Sequence, residues 1–579
     1  MKFCRIKLRW ASAGLLWVLC ALAADCFGLD REAFTFTSYD LNVQVDPDQH
    51  RLGVRGKITL RNDSATPQKI AVLQISSSLD WKSIKAGDKA LQFVTQPYTS
   101  DIDHTGSLSE AIVTLPQAVA PKGTIDLTIG YEGVIVLDAT RLTRIGTPED
   151  AAASTDWDRI DPNFTAVRGA GYVAWYPIAT EVANLSEGNS LFEVLGRWKA
   201  REAEAKMNVV FESTEDCTIL FSGNPDMFVM NRDEGIAAIK VFSITSLGAN
   251  IPTFVVADFK QVTAKDLSTV YFFSGKEATA ASYADVVGNL DPLPNAHRPR
   301  EIQIVELPDS SDAPFVTEGM LLTPLRAITA EDRLTLVYAL ARHKAPSSRP
   351  WVSEGLAHFA QVRDIEIQSG RKAALDYLNG HRQLLVESEK QPAATDVPRA
   401  SDVDTRAASR SLISTEDELY LRSKAMYVWW MLRDMVGDIG MNLALSSYKA
   451  SEDKDPYYME RLIAAQTQRD LDWFFDDWVY RDRGLPDFKV ESAFSRKTPT
   501  NSFMVTVTVD NLGGAGAEVP LTVRFAGGDI TKRLEVRARS KASIRVEVPA
   551  APEEIMVNDG SVPESDMTNN VFKMEAGTK

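Results

Sequence analysis

The groups best placed to do chemistry lie between His343 and His358. Glu354 and His358 are four residues apart in the stretch Trp351 to His358, W-V-S-E-G-L-A-H. A helix there puts both on one face. His343 stands just ahead of the short loop before them. Two imidazoles and a carboxylate make a His₂Glu set, which holds zinc in hydrolases that keep a fourth position open for water. The plainer reading makes His343 an exposed loop residue and His358 a partly buried residue of a helix face. The remaining histidines (His50, His104, His297, His381) are scattered without ligand spacing. The chain contains no H-E-x-x-H and no C-x-x-C, which excludes a cysteine zinc cluster and a thioredoxin-like site. Ser353 lies in no G-x-S-x-G turn, so it reads as a helix cap rather than a nucleophile.

These residues need two helices to hold them. Thr329-Ala-Glu-Asp332 places a capping Thr three residues before an acid, which starts a first helix. Leu334, Val337 and Ala341 supply its apolar stripe. A second helix opens at the W-V-S-E-G turn. Around this pair the chain changes period twice. From Thr35 to about Phe259 it alternates, as in Tyr39–Val45 and Arg55–Arg61, and predicts a large antiparallel β domain. From about Ser274 to Gly484 the spacing is helical, in Ala374–Glu389, Ser423–Val436 and Pro456–Trp478. Alternation returns in Phe503–Val509 and Ser543–Val548, which predicts a small β-sandwich. The expected division is 32–259, 260–485 and 486–565, with a loose polar tail at 566–579. The fold class is multidomain α+β. Trp429, Trp430, Trp473, Phe474, Phe475 and Trp478 fall at helical spacing and read as core.

At 579 residues the chain exceeds a single core. Lys2, Arg5, Lys7 and Arg9 precede an apolar run from Trp10 to Ala24 with an Ala21-Leu22-Ala23 site, the pattern of a signal peptide at 1–24. The expected location is secreted or periplasmic; uncleaved, the same segment anchors the chain to a membrane. No other integral span is expected. Neither Cys20 nor Cys26 sits in a lipobox. Loss of four positive charges takes the net charge from −16 to −20, which argues against nucleic acid as a partner. Cys26 and Cys217 would remain, a pair that an oxidising compartment permits. Asn62-Asp-Ser64 and Asn163-Phe-Thr165 match glycosylation sequons.

Three stretches carry a resemblance: the helix–loop–helix at Glu331–Val362, the aromatic run Leu471–Pro486, and Gly171-Tyr-Val-Ala-Trp-Tyr-Pro177. In order and kind the chain resembles the membrane alanyl aminopeptidase family of gluzincin zinc metallopeptidases. The resemblance implies an N-terminal β domain, a thermolysin-like helical domain and a C-terminal β-sandwich. It keeps Glu354 at the family's acidic ligand position. It places Tyr338 and Arg342 at the two His ligand positions, Ala339 at the general base, Leu321 where a Glu grips the substrate's amino group, and Arg422 where a Tyr steadies the intermediate. The loop between the two helices is about seven residues shorter than the family's. With one ligand and no base left, the resemblance implies a catalytically degenerate relative, with no cofactor, that binds a peptide or protein partner. Arg342 would supply the missing zinc's charge by pairing with Glu354, and Arg342 with Arg422 would suit a ligand carboxylate. Two alternatives stand beside it: an active metallopeptidase with a relocated zinc on Glu354, His358 and His343, and a purely structural or assembly role with the cleft filled.

Overall fold

The computed structural model describes residues 29–213, 217–225, 238–248, 250–293, 301–345, 347–390 and 411–574. The basic start, the apolar run and Cys26 lie outside these residues, and so does any pairing of Cys26 with Cys217. Among the described residues no helix is long and apolar enough to cross a membrane.

The N-terminal third is built on strand Phe34–Asp46. Its alternate residues Tyr39, Leu41, Val43 and Val45 are buried, as period-two patterning requires. This strand pairs antiparallel with Arg51–Asn62 but parallel with Lys206–Ser213. The eight-stranded sheet is therefore mixed, not purely antiparallel. A three-stranded sheet (Gln68–Ser76, Ser107–Val119, Gln92–Thr99) shares its core. Fully buried Trp175 sits among Phe211, Phe221 and Phe254, with ring centroids 5.4 to 6.4 Å away.

Residues 260–324 carry a five-stranded sheet that the helical reading of this region leaves out. Thr269–Phe272, Gln303–Leu307 and Met320–Pro324 run parallel, with Lys260–Thr263 and Phe315–Thr317 as antiparallel edges. The physical reason is burial on both faces. Four of the five residues in Gln303–Leu307 and all five in Met320–Pro324 are buried, so no polar–apolar alternation marks them.

The longer helices are α1 (Ser190–Glu202), α2 (Glu277–Asn289), α3 (Ala330–Lys344), α4 (Pro350–Ser369), α5 (Arg371–Lys390) and α6 (Glu418–Ser446). Gly437 at φ 83° breaks α6. Gly355 of α4 lets that helix close on α6: a Cβ there would meet the Trp429 ring at 2.7 Å and Ala425 at 2.8 Å. Trp429, Trp430, Phe474, Phe475 and Trp478 are buried, but Trp473 is only half-buried, its ring covered by Arg537 at 4.1 Å.

The C-terminal part has two facing sheets, Phe488–Lys497, Phe503–Asn511 and Lys541–Val548 against Gly528–Val536, Ala517–Phe525, Pro552–Val557 and Val571–Lys573. The last strand corrects the expected loose tail, since it pairs with Glu554–Met556. Helices and both sheets share one apolar cluster, from Ala264 to Val562.

Candidate functional site

Helix α3 starts where the capping pattern places it. The Thr329 hydroxyl accepts from the Asp332 amide at 3.2 Å, and Asp332 accepts from the Thr329 amide at 3.0 Å. Two and three turns later Tyr338 and Arg342 face α4. Helix α4 begins differently from expectation. Pro350 occupies its first position, suited by a fixed φ and no N–H to lose, and Arg349 is the cap residue. Ser353 is thus inside the helix, its hydroxyl donating to the Arg349 carbonyl at 3.3 Å. Glu354 follows, nearly buried.

Both oxygens of Glu354 are engaged. The Tyr338 hydroxyl donates to Oε2 at 2.5 Å, and the Arg342 Nε lies 3.3 Å from Oε1. Burial alone would push the Glu354 carboxyl up. The positive fields of Arg342 and Arg422, with the Tyr338 hydrogen bond, outweigh it and hold the group well below the usual carboxylate range. Tyr338 is correspondingly pushed up, by burial and by the neighbouring Glu354 charge. Arg422, one helix over on α6, is held through Glu418: its Nη2 donates to Glu418 Oε2 at 3.0 Å, while Lys199 of α1 lies 2.5 Å from Glu418 Oε1. Three cations thus bracket two carboxylates where α1, α3, α4 and α6 meet. Glu418 was legible as the i−4 partner of Arg422. Lys199, far away in sequence, offered no signal.

His358 makes its hydrogen bond elsewhere. Its ring lies 4.9 Å from the Tyr338 ring, and its Nδ1 is 2.9 Å from Gln361 Oε1. Because the Gln361 amide nitrogen already donates to the Leu334 carbonyl, Oε1 is the acceptor and Nδ1 carries the proton. Burial, opposed by Glu354, lowers the His358 imidazole to about 4. In the unfolded chain it has an ordinary value near ~6.5. As the pH falls from about 6.5 towards 4, the unfolded chain takes up a proton that folded His358 refuses, so stability drops across that window. Stability curves at pH 6.5 and 4.5 check this. His358→Gln is expected to flatten the loss by about 1 kcal/mol or more per pH unit; parallel curves would remove His358 from the acid response.

The relocated set of Glu354, His358 and His343 does not assemble. His343 belongs to the last turn of α3 rather than to an exposed loop, and lies against Gly319, where a Cβ would come within 3.6 Å of its Nδ1. Arg342 stands beside it in sequence and occupies Glu354. Among the described residues no three His, Cys, Asp or Glu side chains form a group that could hold a metal. Zinc needs lone-pair donors that are anionic or neutral. Here the atoms around Glu354 are a protonated phenol and a guanidinium, so these residues do not fit the ion. Ala339 is buried in the core. Leu321 is buried as well, paired in its sheet with Ile304 and Val316.

Two cavities flank the Arg342–Glu354 pair. One of about 710 Å³ is lined by Arg342, His343, Glu318, Gly319, Gln303 and Ser243, among others. The other, about 210 Å³, is walled by α1, the first turn of α4 and the first turn of α6, and includes Glu354, Glu418 and Arg422. Ser347, Ser348, Ser353 and Gly248 border both.

No protein-family model and no curated protein matches the chain. Among solved structures it is similar to the M1 zinc metallopeptidase of Deinococcus radiodurans. A point mutant of that enzyme bound to a Tyr-Ser-Ala substrate gives 16% identity and a TM-score of 0.46, over 77% of this chain and 94% of that one. A second structure of the mutant gives 15% and 0.44, over 79% and 96%. The enzyme without the mutation gives 15% and 0.43, over 75% and 91%.

Proposed function

We propose that this chain is an exported, non-catalytic protein of aminopeptidase-like architecture whose cleft binds a peptide or protein segment. The observation that carries the reading is the state of Glu354. Both its oxygens are taken, one by a phenol proton and one by a guanidinium, and a second guanidinium adds to the positive field. A carboxylate so occupied does not bind a divalent ion, and the helix position one residue after Tyr338, where a base would act on a bound water, is Ala339. The pair instead locks α3 to α4. It leaves the cleft of about 710 Å³ beside it, lined by polar and apolar side chains. Export rests on the basic start and apolar run of the first 24 residues.

The test is metal content and hydrolysis on one sample. Protein dialysed against zinc and then against buffer is expected to retain substoichiometric metal and to leave aminoacyl amides uncleaved. Stoichiometric zinc that disappears in His358→Ala, together with hydrolysis, would overturn the reading.

A further inference from the structure

The smaller cavity holds an unanswered polar demand. Trp351 is fully buried, stacked on Trp429 at 5.3 Å between centroids. Trp429 donates its indole N–H to the Trp351 carbonyl at 3.0 Å, but the Trp351 indole N–H has no acceptor. The Nε of Arg422 is also buried without one, although the same guanidinium reaches Glu418 through Nη2. Both residues line the cavity of about 210 Å³. Buried indole N–H groups without acceptors occur in Trp198 and Trp430 too, but neither residue lines this cavity. A buried donor left unmade costs about 1–3 kcal/mol, so two at one small cavity mark the place of an absent acceptor.

The surroundings define that acceptor. The two acids near the floor are already neutralised: Glu354 by Arg342, and Glu418 by Lys199 and Arg422. The lining carries Lys199, Arg349 and Arg422 against Glu354, Glu416 and Glu418, with Arg349 drawn to Asp453. Glu416 at the rim faces Arg197. The first turn of the 20-residue helix α4 forms one wall and adds the positive end of its dipole. The rest of the wall is apolar: Ala200, Ala203, Pro350, Leu412, Ile413 and Leu421. We infer that this cavity binds an apolar carboxylate, its oxygens accepting from Arg422 Nε and Trp351 Nε1 and its aliphatic body lying against Ala203, Leu412 and Leu421. Either the C-terminal residue of a peptide or a free short-chain acid has this chemistry. The peptide source rests on the binding reading above; the carboxylate site does not. Arg342, committed to Glu354, is not one of the two donors, which revises the pairing of Arg342 with Arg422 expected from the sequence.

Calorimetric titration tests it with three probes: N-acetyl-L-leucine, N-acetyl-L-leucinamide and 3-methylbutanoate. The acid probes are expected to bind, and the amide to bind roughly tenfold or more weakly, since only the acid makes charge-assisted bonds. Binding of N-acetyl-L-leucine identifies a peptide terminus; binding of 3-methylbutanoate alone identifies a free acid. Arg422→Gln is expected to abolish the difference between acid and amide. Because that change also leaves Glu418 with Lys199 alone, Ala203→Leu serves as a second variant: it fills the cavity and leaves the ion pairs in place, and should abolish binding in a folded protein. Equal affinity for acid and amide, no binding of either acid to the unaltered chain, or binding untouched by both variants would overturn the assignment. Zinc content and hydrolysis on the same sample report separately on the non-catalytic reading, so the failure of either is distinguishable.

Discussion

Arg342→Glu is expected to lower the unfolding free energy by about 3–5 kcal/mol or more. Removing one partner of a buried ion pair leaves an uncompensated charge, and the reversed charge adds repulsion. Arg342 and Glu354 each keep only 9% of their side-chain surface, so water cannot substitute for the lost partner. The Tyr338 hydroxyl adds a second dependency, because its acceptor is the same carboxylate. A denaturant series on the single variant and on the triple variant Arg342→Met, Glu354→Leu, Tyr338→Phe separates the causes. The triple variant removes both charges of the pair and the dependent hydroxyl together, leaving Arg422 and Lys199 on Glu418, and is expected to stay within about 1–2 kcal/mol of the parent, as apolar replacements of buried pairs do. If Arg342→Glu melts with the parent, the pair does not form. If the triple variant falls as far as the single one, the helices depend on the charges for more than neutrality.

Asp434→Ala is expected to cost about 1.5–3 kcal/mol, through a different part of the molecule. Asp434 on α6 meets Arg371 of α5 at 2.8 Å, Arg433 at 3.1 Å and Arg533 of the C-terminal sheets at 3.2 Å. Burial would raise its carboxyl, but the three guanidiniums hold it below the ordinary range. Arg533 also reaches Glu518 at 2.6 Å, so the network ties the helices to the sheets. Removing the acid that all three cations share takes away their common partner, while Arg371 keeps Glu366 and Asp559, Arg433 keeps Glu366 and Arg533 keeps Glu518. Urea unfolding of Asp434→Ala and of Asp434→Asn checks this. Asn keeps the size and one acceptor and is expected to recover part of the loss; equal stability of both variants with the parent would show that the network is solvent-screened.

The sequence carries the local parts of this site well and the distant parts poorly. The Thr329/Asp332 box and the four-residue spacing of Tyr338 and Arg342 are short-range facts, and they fix which face of α3 meets Glu354. The start of α4 misleads, because Ser353 is a good cap residue while Pro350, three positions earlier, is the stronger boundary signal. Lys199 arrives from another layer of the fold, and no spacing rule connects it to Glu418. The strands at 303–307 and 320–324 are silent for a related reason: buried on both faces, they lack the alternation that betrays an amphipathic strand. Leu321 shows the consequence. It is a buried residue of one of those silent strands.

The parallel pairing of the first strand with Lys206–Ser213 sets a limit on how fast the chain acquires its shape. Asp40 and Asn208 stand 168 positions apart, yet face one another across adjacent strands, with the Asn208 amide donating at 2.7 Å. Closing so long a loop before any contact rewards it slows folding. During synthesis one edge of the Phe34–Asp46 strand stays open until residue 213 has emerged, a template for wrong partners in the meantime. Chaperone dependence and aggregation during refolding should therefore be governed by this N-terminal sheet.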